Sequence, residues 1–388
     1  MITKISGGTV ICDNKEIKTN VYIKDNKIMD VTDDSLPFDK EISAQGMYVS
    51  PGFVDIHLHG AAGYDFLDGT IEAYEKISEA TARHGATSIV PTLTSSTKES
   101  MQAAINTFDE VKKNRINGSK LLGIHLEGPY FSASQKGAQD EKQIRDFDKS
   151  EYEEIASMSD SLLRWTAAPE RSGAEEFGKY MVSKNILPCI GHSDADCKTA
   201  QRAFENGFTH ITHLYSCTST VHRKNAYRYA GIIEAAYLND DMTVEIIADG
   251  VHLPDDLLKL VYKIKGADKI ALITDSMRGA GMPDGESILG GLNDGLKVII
   301  EDGVAKLPDR SAFAGSVAFC DRIVKNMVKL AGVSLCDAIK MASETPSKII
   351  GINNIGKISP GYMADIVIFD SEFNVHKTIA DGIEIYSK

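Results

Sequence analysis

No stretch of this sequence comes near the roughly 20 consecutive apolar residues of a membrane-spanning helix, so no helical membrane segment is expected. The first residues, Met1-Ile2-Thr3-Lys4, lead into alternating residues without an apolar core. No secretory signal is therefore expected, and a cytoplasmic location is. The six cysteines (Cys12, Cys189, Cys197, Cys217, Cys320 and Cys336) form no CxxC pair and no dense framework. That spacing points to free thiols in a reducing compartment. Positive charge is in deficit: 42 Lys and Arg against 55 Asp and Glu leave a net charge of −13. Such a balance tells against nucleic acid or an acidic membrane as partner. An anionic substrate would have to be met by a local basic patch.

What remains is the composition of a globular protein with a sizeable core: 388 residues, 43% hydrophobic and 25% charged. Residues 1–50 read as short strands (9–12, 21–23, 27–29) split by polar turns, and the chain from about 355 onward looks the same. Chain ends often lie close together, so the two could meet in one small sheet, a discontinuous β-sandwich domain of residues 1–50 and 355–388. Between them, residues 51–354 alternate apolar strands with helical patterns. Strands are expected at 53–58, 87–93, 121–127, 162–168, 186–191, 209–214, 243–248 and 269–274. Helices are expected at 71–84, 98–113, 149–158, 174–184, 195–206, 254–264, 321–332 and 335–350. Near-continuous apolar strands alternating with helices imply parallel strands buried on both faces. Eight of them suggest a closed (β/α)8 TIM barrel, so the fold class is α/β. An open doubly wound sheet is the rival, but no GxGxxG turn follows the first strand.

The residues that end these strands carry the chemistry. The first ends in His57-Leu58-His59, and side chains two apart on a strand share a face. The third ends in His125-Leu126-Glu127, the fifth in Gly191-His192, the sixth in Thr212-His213 and the eighth in Thr274-Asp275. Barrel enzymes build their sites from such C-terminal strand ends. His57, His59, Glu127, His192 and His213 with Asp275 form a mixed nitrogen and oxygen set that suits Zn or Fe better than Ca or Mg. Six groups exceed one tetrahedral ion. Two ions bridged by Glu127 fit the set, one on His57 and His59, the other on His192 and His213. Asp275 is then available as a base. His125 is left without a role, His84 and His376 read as structural or surface residues, and Arg223, Lys224 and Arg228 form either a solvated basic face or a phosphate contact.

These motifs carry a family resemblance. Pro51-Gly52-Phe53-Val54-Asp55-Ile56-His57-Leu58-His59-Gly60, Gly123-Ile124-His125-Leu126-Glu127-Gly128-Pro129, Gly191-His192-Ser193-Asp194-Ala195 and Ile247-Ala248-Asp249-Gly250-Val251-His252 run through most of the chain. The sequence resembles the amidohydrolase superfamily and, within it, the N-acetyl amino-sugar-phosphate deacetylases. The resemblance implies metal-dependent hydrolysis of the N-acetyl group of N-acetylglucosamine 6-phosphate, with Glu127, His192 and His213 as metal ligands and Asp275 as general acid/base. It also implies a substrate site. His252 matches a sugar-phosphate contact, Ala138 and Gln139 lie in a flap that usually ends in His, and Ser216-Cys217 stands where Asn-Ala is usual. Phe313-Ala314-Gly315 matches a late substrate loop. A phosphate-binding Arg can come from the neighbouring subunit in this family, which implies a homodimer. N-acetylgalactosamine 6-phosphate as substrate, or a non-catalytic sugar-phosphate sensor, are the alternatives. The fourth strand, 162–168, has no Lys for the carbamate bridge of the cyclic-amide hydrolases, and no His-x-x-Glu follows the fifth as in nucleoside deaminases.

Overall fold

In the computed structural model, which describes residues 1–114 and 116–388, eight parallel strands form the centre of the molecule. They are β1 (Phe53–Leu58), β2 (Ala86–Leu93), β3 (Ile124–Glu127), β4 (Leu162–Ala167), β5 (Leu187–Ile190), β6 (His210–Ile211), β7 (Thr243–Ile247) and β8 (Ile270–Ile273). Each pairs with the next in sequence, from β1 through β8. Backbone bonds just past the strand ends close the ring: Asp275 N–H donates to the His57 carbonyl at 2.9 Å and His59 N–H to the Ser276 carbonyl at 2.7 Å. The result is the expected TIM barrel.

Five of the described α-helices begin with a side-chain cap. Thr70, Thr97, Asp148, Asp196 and Ser334 stand at helix N-caps, where each side chain accepts a backbone N–H of the first turn. The apolar faces of the helices pack on the outward side chains of the strands, in one large cluster that includes Leu58, Ile89, Leu126, Trp165, Phe177 and Ile246. The alternation of the pleat sends Asp55 and His57, His125 and Glu127, and Arg164 and Thr166 to the other face, the barrel lumen. That lumen is polar, because side chains of β1, β4 and β7, which are not neighbours in the sheet, hydrogen-bond across it.

Several expected elements change. The third strand begins at Ile124, with Lys120–Leu121 as a separate short strand. The sixth shrinks to two residues, because His213 turns into left-handed backbone (φ 28°). The helix expected over 335–350 is two, Leu335–Met341 and Glu344–Ile349. Ser343 between them leaves helical geometry (φ −139°, ψ −75°), and Pro346 falls in the first turn of the second, where its missing N–H costs nothing. The sequence reading did not expect helix Ile232–Leu238, nor a four-stranded antiparallel sheet spanning Gly285–Ser316, inserted after β8.

The chain ends form two sheets with a shared core, the β-sandwich expected there and not a single sheet. A six-stranded sheet takes Thr9–Cys12, Lys15–Lys18 and Tyr48–Pro51 from one end and Ile366–Phe369, Val375–Ala380 and Ile383–Ser387 from the other. A four-stranded sheet comes from residues 2–43 alone. Ile5, Val21, Ile23, Val49, Ile366 and Ile368 fill the space between them. No described helix is long and apolar enough to cross a membrane.

Candidate active site

All six side chains singled out at the strand ends converge at the C-terminal mouth of the barrel. Glu127 is central. Its Oε1 lies 2.8 Å from His213 Nε2, 3.3 Å from His192 Nε2 and 3.5 Å from His57 Nε2, and its Oε2 is 3.3 Å from His59 Nε2. Asp275 Oδ1 lies 3.1 Å from His59 Nε2 and 3.4 Å from His57 Nε2. All six are buried.

Four imidazoles turn the same nitrogen inward because the other one is engaged outside. Nδ1 of His57 faces Glu245 at 3.0 Å, that of His59 the Thr92 carbonyl at 3.3 Å, that of His192 the Gln135 carbonyl at 2.8 Å, and that of His213 the Ser216 carbonyl at 3.1 Å. Each partner can only accept, so each Nδ1 carries the proton and each Nε2 presents a lone pair. Three of the six groups, His192, His213 and Asp275, sit on left-handed backbone with φ of 48°, 28° and 47°. Such backbone in non-glycine residues costs energy and concentrates at functional sites. Here it aims side chains inward at the first residue or two beyond a strand.

This donor set fits a divalent metal. The ligand atoms of His57, His59 and Asp275 lie within 4.8 Å of one another, as do those of His57, Glu127 and His213. The grouping differs from the expected one: Asp275 joins the first set, and His57 is common to both. His57 Nε2 is buried and makes no hydrogen bond, an arrangement a metal bond would satisfy. Burial opposes ionisation of Glu127, but with protons on the inward nitrogens the His57 charge and the hydrogen bonds of His192, His213 and His59 outweigh it and hold its carboxyl well below the usual range; a divalent metal would take the place of those protons and use the lone pairs instead. Desolvation is likewise overcome at Asp275 by His57 and His59.

A cavity of about 300 Å³ opens beside these groups. Ala138, Gln139, Ser216, Cys217, His252, Phe313 and Gly315 line it, as expected for substrate residues, together with Tyr215, Thr94 and Leu289, which the sequence reading missed. His252 is fixed by Asp249, whose Oδ2 lies 2.7 Å from its Nδ1, and packs against Phe313. Four residues are placed elsewhere. Ala314 points away from the cavity into the core of the inserted sheet, with Met277 and Val298, because strand alternation separates it from Phe313 and Gly315. Arg223, Lys224 and Arg228 stand on an exposed antiparallel hairpin, His222–Lys224 with Tyr227–Tyr229, turned at Asn225 and Ala226 with positive φ. None of the three reaches the cavity of its own chain.

Gln139 differs in detail from the expectation. Its Nε2 donates to Glu127 Oε2 at 2.9 Å and its Oε1 accepts the Ser95 N–H at 2.9 Å. His125, unassigned from sequence, lies in the lumen between Thr92 Oγ1 (3.1 Å) and Thr166 Oγ1 (2.7 Å). Glu245 and Arg164, deeper in the lumen, were also missed. The signal was a charge inside an otherwise apolar buried strand, Thr243-Val244-Glu245-Ile246-Ile247 and Leu162-Leu163-Arg164-Trp165.

Comparison with known proteins agrees with this architecture. The chain is 33% identical over 382 residues to the N-acetylglucosamine-6-phosphate deacetylase of Bacillus subtilis (strain 168), covering 96% of this chain and 94% of that protein. It is 32% identical over 334 residues to the N-acetylgalactosamine-6-phosphate deacetylase of Escherichia coli O157:H7, covering 86% of each. Among solved structures, a mutant N-acetyl-D-glucosamine-6-phosphate deacetylase of Mycobacterium smegmatis in complex with N-acetyl-D-glucosamine-6-phosphate superposes with a TM-score of 0.90 at 26% identity, covering 100% of this chain and 99% of that one. Residues 48–384 match the model of the amidohydrolase family. With that match, and with histidines and carboxylates gathered at the C-terminal ends of its barrel strands, the chain belongs to the amidohydrolase family.

Proposed function

We propose that this chain hydrolyses the N-acetyl group of N-acetylglucosamine 6-phosphate, giving glucosamine 6-phosphate and acetate. The observation that carries the reading is the convergence of His59, His192, His213, Glu127 and Asp275 on the wall of a cavity of about 300 Å³, with His57 buried against Glu127 and Asp275. The B. subtilis and M. smegmatis relatives, named for this reaction, support the substrate.

His57, His59, Glu127, His192 and His213 would hold the divalent metal, Zn or Fe, and the set is large enough for two ions. A bound divalent ion lowers the pKa of water to near 7 and polarises a carbonyl oxygen. Asp275 takes the proton from the attacking water and returns it to the amine nitrogen, which cannot leave as an anion. Its Oδ1 faces both His57 and His59, so the carboxylate is held at the reacting centre. His252, braced by Asp249, and Ser216 and Cys217, which line the same cavity, orient the sugar.

We further assign residues 1–50 and 355–388 to a β-sandwich domain and 51–354 to the catalytic barrel. The exposed hairpin carries three cations that are not needed by its own cavity. We place it against the phosphate in a neighbouring subunit of a cytoplasmic homodimer. Acetate release from N-acetylhexosamines with and without a 6-phosphate, on Zn- and Fe-loaded enzyme, tests the function. Turnover of the glucosamine derivative only when phosphorylated is expected. Turnover confined to unphosphorylated sugars refutes the assignment, and preference for the galactosamine epimer moves it to that sugar.

A further inference from the structure

Beneath the six convergent groups lies a second buried cluster, in which one carboxylate reaches both candidate metal positions. Glu245 on β7 is fully buried. Its Oε2 accepts the Nδ1–H of His57 at 3.0 Å and the backbone N–H of His213 at 3.2 Å. Its Oε1 pairs with Arg164 of β4, also fully buried, and lies 3.2 Å from His210 Nε2. Arg164 is itself anchored: Nη1 donates to the Ile56 carbonyl at 3.2 Å and Nη2 to Thr212 Oγ1 at 3.4 Å. The carbonyl it holds belongs to the residue before His57, and the hydroxyl to the residue before His213.

Geometry gives this cluster a direction. His57 is the residue common to both groups of ligand atoms. Its ring can offer Nε2 as a lone pair only while Nδ1 holds the proton, and the carboxylate at 3.0 Å fixes it there. The orphaned Nε2 on the far side is the atom so presented. A carboxylate with no exposure, taken alone, would be costly in the lumen, and Arg164 offsets that cost.

We infer that Glu245 is a positioning residue for the metal centre: it sets the tautomer and ring orientation of His57 and the backbone of His213, with Arg164 as its counter-charge. The inference rests on the metal-dependent reading above. Partners of this kind typically contribute about 10–100-fold in metal affinity.

The test is metal binding, read directly by competition of Zn²⁺ with a chromophoric chelator, with bound metal counted after dialysis. Glu245→Gln is expected to weaken Zn²⁺ binding by about 10–100-fold. Coupling identifies the route: in a His57→Asn background, Glu245→Gln should add little through the ring, leaving only its effect on His213. Arg164→Gln with Glu245→Gln removes both buried charges together. It serves where the single variant does not fold, and it is expected to keep its melting temperature and still bind Zn²⁺ weakly. Unchanged Zn²⁺ affinity in either folded variant, or full additivity with His57→Asn, overturns the inference. If the wild-type protein itself fails to bind Zn²⁺ or Fe²⁺, the metal-dependent reading falls instead.

Discussion

Replacing Asp275 by Asn isolates proton transfer from every other role of that position. The backbone there is left-handed, with φ of 47°. Asn enters that region more readily than other L-residues, whereas most would cost about 1–2 kcal/mol. Asn also matches Asp in volume at a site only 7% exposed, so packing is kept. The backbone bonds that hold the segment, from Asp275 N–H to the His57 carbonyl and from Ser316 N–H to the Asp275 carbonyl at 2.7 Å, do not involve the side chain. What Asn cannot do is accept a proton from water and pass it to nitrogen. General acid–base catalysis contributes about 10²–10⁴-fold, equivalent to about 2.7–5.4 kcal/mol of barrier at 1.36 kcal/mol per tenfold. The expected result is a kcat lower by that factor, with KM and bound metal near wild type. Acetate release under single turnover, with metal counted on the same sample, measures both. Unchanged turnover would remove Asp275 from the mechanism. Loss of the metal along with the rate would make it a ligand first.

Three further outcomes follow from particular contacts. Gln139→Ala leaves the buried Ser95 N–H without an acceptor and removes the amide that donates to Glu127 Oε2, so it should destabilise the protein by about 1–3 kcal/mol and weaken metal binding. A melting curve unmoved by the change would show that the amide is dispensable. Gly315→Ala adds a Cβ 2.9 Å from the Asp275 carbonyl at a φ of +76°. The displaced Asp275 should cost about 10²-fold in kcat, and a normal kcat would mean that the loop yields instead. Serine at Arg223, Lys224 and Arg228 together should raise KM for the phosphorylated sugar and leave an unphosphorylated analogue untouched. An equal effect on both substrates would take the phosphate role away from the hairpin.

The parts of this site that were legible in the sequence are those written in short-range periodicity. His57 and His59 two apart on a strand, or a ligand-type residue closing each apolar run, needed only the pleat and the barrel rule. Contacts made across the lumen left little trace. Glu245 meets His57 from 188 residues away, and sequence showed only a misplaced charge. Gln139 was read as a substrate contact because its neighbours match a flap, yet its amide is tied to Glu127 and Ser95. Ala314 was grouped with Phe313 and Gly315, although period two turns it the other way. The inserted sheet over Gly285–Ser316 was missed because its strands are short, mixed in polarity and half exposed.

The seam that closes the barrel has a consequence for how the enzyme comes into being. Strands β8 and β1 meet through Asp275 and His57, His59 and Ser276, and through Thr274 and Asp55, a pair separated by 219 residues. The last join of the barrel and the reacting groups are thus the same few residues. A growing chain carries its histidines long before it can use them, and stays chemically inert until β8 has been made and docked. Ribosome-bound intermediates therefore hold an unfinished centre, and acquisition of activity doubles as a clock for closure of the barrel.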